Sequence, residues 1–243
     1  MTRDDGALRV YDEPAALAAA LAQLVVERGR DAIAARGTFA LALSGGTTPK
    51  TAYTLLAQPP FAHALDWNAT AIFFGDERCV PPDNDRSNYN MAYEAFLGPL
   101  HIPPQNIHRM RGEDDPARAA AAYHDELIAT LGAHPRFDLV MLGMGPDGHT
   151  ASLFPGSDPL TDDAKLVRAV YSQSQSQWRI TLTPAVLNAA RTAVFAVEGA
   201  GKAKTLAAVR EGPYDPKTYP SQIITPVDGE LIWLVDKAAA VAS

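Results

Sequence analysis

Short apolar runs alternate with longer amphipathic stretches along most of the chain. Five runs have the length and the unbroken apolar character of strands that are buried on both faces. They are Thr38–Leu43, Thr70–Phe74, Phe137–Leu142, Ala193–Val197 and Leu231–Val235. Since helical segments separate these runs, the pattern predicts an α/β fold: a mostly parallel, Rossmann-like sheet with helices on both faces.

Helical periodicity is clearest near the start of the chain. Residues 13–35 place Leu17, Leu21 and Leu24 on one face, and Pro14 suits the first turn of a helix. Further helices are predicted from the Ser44–Pro49 turn to Leu56, over 87–97, over 114–131, and from about Lys204 to Arg210. Loops are predicted over 173–177 and over the proline-rich residues 211–226.

Length and composition narrow the class of protein. The chain has 243 residues, with no visible repeat or linker, so we expect one domain over residues 1–243. A formal net charge of -7 argues against a nucleic-acid-binding protein, which usually carries a basic face. No apolar run approaches the roughly 18 residues of a membrane span. The single cysteine, Cys79, excludes an internal disulfide and fits a reducing cytoplasm.

These features predict a cytoplasmic protein whose partner is a small molecule, with no nucleic acid and no membrane involved. A monomer or a weak homo-oligomer is expected. The sequence does not choose between them, because the apolar pattern does not separate an interface patch from the core. The negative net charge still permits a local cationic pocket for a small anion.

The segment Phe137–Gly156 carries the strongest chemical signal. Its apolar run ends in a glycine-rich loop in which Asp147 and His149 lie two residues apart. Open α/β sheets bind ligands beyond the carboxyl ends of their strands, where this loop is predicted to lie. Histidine titrates near neutral pH and an aspartate can orient it, so the pair is suited to proton transfer.

The same segment fits the pattern G-x-G-x-x-G through Gly143, Gly145 and Gly148, which is typical of dinucleotide binding. That interpretation requires a long helix opening at the third glycine, whereas Pro155 and Gly156 end any helix within two turns. A tight structural turn would explain the glycines but not the aspartate and the histidine. Proton transfer is therefore the favoured interpretation.

The segment Ser44–Lys50 has the composition of an anion-binding loop. Gly45 and Gly46 let the backbone approach a ligand closely, and the hydroxyl groups of Ser44, Thr47 and Thr48 add donors. The helix predicted to start here offers free N–H groups and the positive end of its dipole. On this segment alone, an ordinary glycine turn capped by threonine is an equally good interpretation.

Charged residues follow directly after the run Thr70–Phe74. Asp76 and Arg78 are therefore predicted to lie at the sheet edge, where the planar arginine fork suits a phosphate or a developing oxyanion. A solvated ion pair within residues 76–86 fits the spacing equally well.

Two more cations are candidates for binding an anion. Lys202 lies in Gly199–Lys204 at another predicted helix start, where its charge opposes the helix dipole, so a purely solvent role is disfavoured. Arg179 lies in an apolar stretch near Trp178, and a surface arginine on a strand is the equal alternative.

Signals of other enzyme classes are absent from the sequence. It contains no G-x-S-x-G elbow, no H-E-x-x-H and no paired C-x-x-C, so we expect neither an α/β-type serine hydrolase nor a catalytic metal. Cys79 is interpreted as a packing residue. Five histidines are expected to be bystanders: His63, His101, His108, His124 and His134.

Together these loops resemble the 6-phosphogluconolactonase family, which is part of the glucosamine-6-phosphate isomerase/6-phosphogluconolactonase superfamily. The resemblance extends in order from about residue 40 to 240, and its central motif is highly specific. One small departure is Thr47, where the family often has serine. The matching segments are Leu43–Lys50, Gly75–Arg78, Val80–Pro81, Ser87–Met91, Leu142–Pro155, Trp178–Thr183, Leu187–Ala189, Gly199–Lys202, Pro220–Ile224 and Trp233–Asp236.

The resemblance implies a cytosolic enzyme of the pentose phosphate pathway that hydrolyses 6-phospho-D-glucono-1,5-lactone without a metal or an organic cofactor. On this hypothesis His149 is the general base, Asp147 orients it or binds a sugar hydroxyl, and Arg78 stabilises the oxyanion or helps to fix the substrate. The 6-phosphate and the rest of the substrate would be held by Ser44, Gly45, Gly46, Thr47, Asp76, Arg179 and Lys202.

Two alternatives remain at the level of the sequence. The sister family, glucosamine-6-phosphate deaminase/isomerase, shares the Gly-Gly-Thr and Asp-Gly-His loops, but Gly75–Arg78 with Ser87 and Asn88 resembles the lactonases. A non-catalytic sugar-phosphate-sensing domain is the other alternative. It would normally accompany a DNA-binding region, and no basic helix-turn-helix precedes residue 38.

Overall fold

The computed structural model describes residues 6–157 and 165–241. Strands and helices alternate along most of these ranges. The strands are β1 (Ala7–Tyr11), β2 (Phe39–Leu43), β3 (Thr70–Phe74), β4 (Asp76–Arg78), β5 (Leu139–Gly143), β6 (Val167–Ser172), β7 (Gln177–Leu182), β8 (Thr192–Val197) and β9 (Glu230–Asp236). The helices are α1 (Pro14–Arg36), α2 (Thr47–Leu56), α3 (Asn88–Ala92), α4 (Pro116–Leu131), α5 (Pro184–Asn188), α6 (Ala203–Glu211) and α7 (Lys237–Ala240).

Six strands form a parallel sheet in the order β1-β9-β8-β5-β2-β3. All five strands predicted from apolar runs lie in it, so the predicted parallel sheet is confirmed. The sixth, β1, was missed because it is an edge strand. Its residues 7–10 are exposed, and it therefore lacks an apolar signature.

Helices cover both faces of this sheet, as predicted. In β2, Leu41 packs in one core cluster with Leu21 of α1 and Tyr53 of α2. Its neighbour Ala42 packs in a second cluster with Leu127 of α4. Successive residues of a strand point to opposite faces, so a continuous apolar strand is what a doubly covered sheet requires.

A second sheet, antiparallel and of three strands in the order β4-β7-β6, was not predicted. The first of its strands, β4, begins one residue after β3 ends, with Gly75 between them. Three polar or charged residues carry no periodicity that would identify a strand. Residues 173–176 form the turn between β6 and β7, in agreement with the predicted loop.

The other differences concern the ends of helices. The helix predicted over 87–97 divides into α3 and a wider π-helical segment, Tyr93–Leu97. A 3₁₀ turn, Ala200–Lys202, precedes α6. Asp115, one of two predicted caps of α4, accepts the N–H of Arg118 at 3.1 Å. Among the helices of the described ranges, none is long and apolar enough to cross a membrane.

Candidate active site

A cleft opens where the order of the parallel strands reverses. From β2 the chain proceeds outward to β3, whereas from β5 it proceeds to β8 and β9 on the other side. The two inner strands pair only at Leu41–Leu139 and Ala42–Val140, and each continues beyond these pairs beside its outer neighbour. Their carboxyl ends therefore separate, which forms the kind of crevice where open α/β sheets bind ligands.

The cleft has a volume of about 210 Å³ and is lined by the loops that follow β2, β3, β5 and β8. Asp147 does not line it. This residue borders an adjoining cavity of about 580 Å³ and contacts His149, which does line the cleft. Nine of the predicted site residues line the cleft: Ser44, Gly45, Gly46, Thr47, Asp76, Arg78, His149, Arg179 and Lys202.

Asp147 and His149 form a close pair in the loop after β5. The Oδ1 atom of Asp147 lies 2.5 Å from Nδ1 of His149 and also accepts the backbone N–H of His149 at 3.1 Å. The hydrogen bond with His149 holds the pKa of Asp147 below its usual range. A carboxylate at Nδ1 favours the tautomer with the proton on Nδ1, which leaves Nε2 as the basic nitrogen. The geometry suits His149 to accept a proton.

The glycines of this loop are needed for close approach as well as for turning. The N–H of Gly145 donates to the carbonyl of His149 at 2.9 Å. A Cβ atom at position 145 would lie 2.1 Å from Nδ1 of His149 and 2.6 Å from Oδ1 of Asp147. Gly148 has a φ of +79°, in the left-handed region. The tight turn and the histidine pair are therefore parts of one arrangement.

The loop after β2 leads into the N-terminus of α2. Gly46 precedes this helix with a φ of 111°, and no side chain caps the first turn. The first N–H groups of the helix are therefore available to a ligand at the positive end of the dipole. Buried Tyr53 holds the loop in place. Its hydroxyl accepts the N–H of Ser44 at 3.0 Å and donates to the carbonyl of Ser44 at 2.8 Å.

Arg179 reaches the cleft because β7 pairs with β4, which places Arg179 directly opposite Arg78. Its side chain is buried, and Nη1 lies 3.6 Å from Oδ2 of Asp76. Nη2 donates to the side chain of Gln175, and Nε is buried with no hydrogen-bond partner in residues 6–157 and 165–241. Burial lowers the pKa of Arg179, the carboxylate of Asp76 acts in the opposite direction, and the charge of Arg78 lowers it further. Two neighbouring guanidinium groups attract an anion.

Asp76 is a buried carboxylate with partners on three sides. Besides Arg179, its Oδ2 accepts the hydroxyl of Ser152 at 2.6 Å, and its Oδ1 accepts Nδ2 of Asn88 at 3.1 Å. Ser152 belongs to the loop that carries His149. Asp76 therefore connects the His149 loop, the second sheet and the start of α3.

Within the part of the chain that the structure describes, Arg78 makes no ion pair of the kind that the spacing of residues 76–86 had allowed. Its Nη1 donates to the carbonyl of Arg86 at 2.7 Å and to Oδ1 of Asn88 at 2.8 Å. Its Nε is buried and has no hydrogen-bond partner among the described residues. Arg78 itself lines the cleft, where its positive charge attracts a negatively charged substrate group.

Lys202 lies in the 3₁₀ turn before α6, on the β8 side of the cleft. Burial lowers its pKa, while the charges of Glu198 and Asp236 act in the opposite direction. Asp236, at the end of β9, also fixes this loop, because its two carboxylate oxygens accept the N–H of Gly199 at 3.0 and 3.1 Å.

Four polar residues of the site were not identified from the sequence. Asn88, Gln175 and Glu198 line the cleft, and Ser152 binds Asp76. The pattern of apolar and polar residues gives no signal for them, because each depends on a contact with a distant loop. Asn88 and Ser152 did lie in segments that resemble the lactonases.

The predicted bystander histidines all lie outside the cleft. Within residues 6–157 and 165–241, no group of three or more histidine, cysteine or acidic side chains is arranged to hold a metal ion. Cys79 packs against the core, and burial raises the pKa of its thiol to about 11, as expected of an unreactive cysteine.

Comparison with known proteins gives a consistent result. A family model described as glucosamine-6-phosphate isomerases/6-phosphogluconolactonase matches residues 12–233. The chain is 43% identical over 220 residues to a 6-phosphogluconolactonase of Synechocystis sp., covering 88% of this chain and 89% of the relative. It is 37% identical over 199 residues to that of Haemophilus influenzae, covering 82% and 85%.

Solved structures agree with this result. The 6-phosphogluconolactonase of Trypanosoma cruzi superimposes with a TM-score of 0.89 at 30% identity, covering 98% of this chain and 97% of that one. A monomeric glucosamine-6-phosphate deaminase superimposes with a TM-score of 0.82 at 18% identity, covering 96% and 98%. The second likeness concerns the fold alone, so the two activities have to be distinguished at the site.

Proposed function

The chain belongs to the glucosamine-6-phosphate isomerase/6-phosphogluconolactonase family, and we infer that it hydrolyses 6-phospho-D-glucono-1,5-lactone to 6-phospho-D-gluconate in the oxidative pentose phosphate pathway. The observation that carries this inference is the Asp147–His149 pair, since His149 lines the same cleft as Arg78, Arg179 and Lys202. A positioned base accelerates lactone hydrolysis by activating water, and cations stabilise a bound, doubly charged phosphate.

His149 acts as the general base. Its Nε2 takes a proton from a water molecule as the water oxygen bonds to C1 of the lactone, and the carbonyl oxygen becomes an oxyanion. When the tetrahedral intermediate collapses, the bond from C1 to the ring oxygen breaks, and His149 returns the proton to that oxygen. A positioned base contributes about 10²–10⁴-fold to the rate.

Asp147 supports this step without touching the reacting carbon. Its carboxylate orients the ring of His149 and stabilises the imidazolium that forms after the first proton transfer. Arg78 stabilises the oxyanion, since it is a cation that lines the cleft beside His149.

The 6-phosphate is held in the same cleft by the loop after β2 and two cations. The N–H groups at the start of α2, with the Ser44 and Thr47 hydroxyls, donate to its oxygens, and Arg179 and Lys202 balance its charge. Gly45 and Gly46 permit the close approach. Asp76 contributes indirectly by holding Arg179, since a carboxylate repels a phosphate.

Measurement of lactone hydrolysis tests the function. The lactone opens spontaneously, so it is generated in situ, and its consumption by wild type is compared with that by His149→Ala and His63→Ala, an exposed histidine outside the cleft. We expect wild type and His63→Ala to accelerate hydrolysis equally, and kcat to fall by about 10²–10⁴-fold in His149→Ala.

Two outcomes would contradict the proposal. If wild type does not accelerate hydrolysis, the proposed lactonase function is wrong. Release of ammonia from glucosamine 6-phosphate would then identify the protein as a deaminase. If His149→Ala still accelerates hydrolysis as wild type does, the lactonase function is supported but His149 is not the general base.

We also propose that residues 1–243 act as one domain, as a monomer or weak homo-oligomer, in the cytoplasm. The unpaired Cys79 is compatible with a reducing compartment. Sedimentation over a range of concentrations tests the oligomeric state, and fractionation of cells tests the location.

A further inference from the structure

One buried amide lies between three loops of the cleft. The side chain of Asn88, the first residue of α3, is 2% exposed and yet lines the cleft. Its Oδ1 accepts Nη1 of Arg78 at 2.8 Å. Its Nδ2 donates to the carbonyl of Asp76 at 2.8 Å and to Oδ1 of Asp76 at 3.1 Å. Both ends of the amide are therefore engaged.

Asn88 also abuts the loop after β2. A Cβ atom at Gly45 would lie 2.1 Å from Oδ1 of Asn88. A glycine at position 45 therefore leaves room for the side chain of Asn88 and also allows a ligand to approach the backbone.

The partners of Asn88 require an amide. Arg78 offers only donors and the Asp76 carboxylate only acceptors, so the residue between them must accept on one side and donate on the other. An aspartate would place a second carboxylate oxygen about 3 Å from Oδ1 of Asp76, where like charges repel. An alanine would leave the Nη1 of Arg78 and the Oδ1 of Asp76 each without this partner.

The position of Asn88 is itself fixed by a buried carboxylate. Glu77 is 2% exposed, and its side chain accepts the N–H groups of Asn88 at 2.7 Å and Tyr89 at 2.8 Å. It also accepts the hydroxyl of Ser87 at 2.9 Å. These bonds satisfy the first N–H groups of α3 and set where the helix begins.

We propose that Asn88 is a positioning residue for lactone hydrolysis, which acts by holding the guanidinium of Arg78 in the orientation that stabilises the oxyanion. This inference rests on the proposed function. Nη1 of Arg78 is engaged by Asn88 and the carbonyl of Arg86, so the plane of the guanidinium is set by two protein oxygens. Loss of one of them allows the group to turn away from the reacting carbonyl.

A double-mutant cycle tests the proposal. The proteins are wild type, Asn88→Ala, Arg78→Ala and the double variant, with Asn88→Asp as a second substitution of nearly the same size. Asn90→Asp is the matched control, because it introduces the same charge on the same helix but lies outside the cleft. Circular dichroism and thermal unfolding establish that each variant is folded.

We expect kcat to fall by about 10- to 100-fold in Asn88→Ala and Asn88→Asp, less than the 10²–10³-fold typical of removing an oxyanion donor itself. KM should change much less, and Asn90→Asp should behave as wild type. In the background of Arg78→Ala, the substitution Asn88→Ala should cause little further loss, because residues that act as a unit are not additive.

Three results would overturn the proposal. Wild-type kcat in a folded Asn88→Ala would show that the amide is dispensable. Additive losses in the double variant would show that Asn88 acts independently of Arg78. Wild type without lactonase activity would remove the proposed function and this inference together, whereas the first two results leave the function standing.

Discussion

Lys202 shows how burial changes the behaviour of a single residue. A lysine on the surface keeps its charge to about pH 10.4, whereas burial lowers the pKa of Lys202. A base with a lowered pKa loses its charge at a lower pH, so the contribution to phosphate binding that we propose for Lys202 is complete well below that pKa. The contribution is lost as the pH rises through it.

Affinity for 6-phosphogluconate is therefore predicted to fall as the pH rises. The fall should begin at a lower pH than it would if Lys202 had the pKa of an exposed lysine. Calorimetric titration between about pH 7.5 and 10.5 measures this. Lys202→Arg remains charged throughout, so its affinity should vary much less over that range. Identical pH profiles for the two proteins would mean that Lys202 does not bind the phosphate.

At the scale of elements, β9 and the loop after β8 are coupled by one carboxylate. Asp236 accepts the N–H of Gly199 near Lys202, and it also caps α7 by accepting the N–H of Ala239 at 2.8 Å. It is 3% exposed. A buried acceptor that serves two elements affects both the stability of the fold and the position of the lysine.

Asp236→Ala is predicted to destabilise the protein by about 1–3 kcal/mol, from the lost cap and the unpaired N–H groups. It should also raise KM, because the loop that carries Lys202 is released. Asp115→Ala is the control, since it removes the cap of α4 away from the cleft. Unfolding by denaturant and steady-state kinetics measure the two effects. A loss of stability without a change in KM would show that Asp236 is structural only.

At the scale of the whole molecule, the cleft separates β2 from β5, so a ligand that bridges their loops adds contacts between the two halves of the sheet. A ligand that binds only the folded state at about 100 times its Kd adds about 2.7 kcal/mol to the free energy of unfolding. For a chain of this length that is predicted to raise Tm by about 5–10 °C.

Thermal unfolding with 6-phosphogluconate measures this shift, and gluconate at the same concentration is the control that lacks the phosphate. We expect a clear shift with the first and little with the second, because the proposed site binds the ligand through its phosphate. Equal shifts with both ligands would contradict the assignment of a phosphate site.

The sequence by itself determined the parallel sheet and the edge at which the site lies. Apolar runs such as Phe137–Leu142 identify buried strands, and parallel strands bring the loops after them to one edge. For that reason His149, Lys202 and the loop of Ser44 could be assigned to one site from local patterns alone.

Only the tertiary structure decided which groups contact one another within the site. Arg179 lies opposite Arg78 because β7 pairs with β4, and Asn88 bridges Arg78 to Asp76 because Glu77 fixes the start of α3. These contacts join segments up to 103 residues apart in the chain (Asp76 and Arg179). Pairings between distant, short and polar segments leave no periodic pattern in the sequence, since their stability comes from burial and hydrogen bonds that exist only after folding.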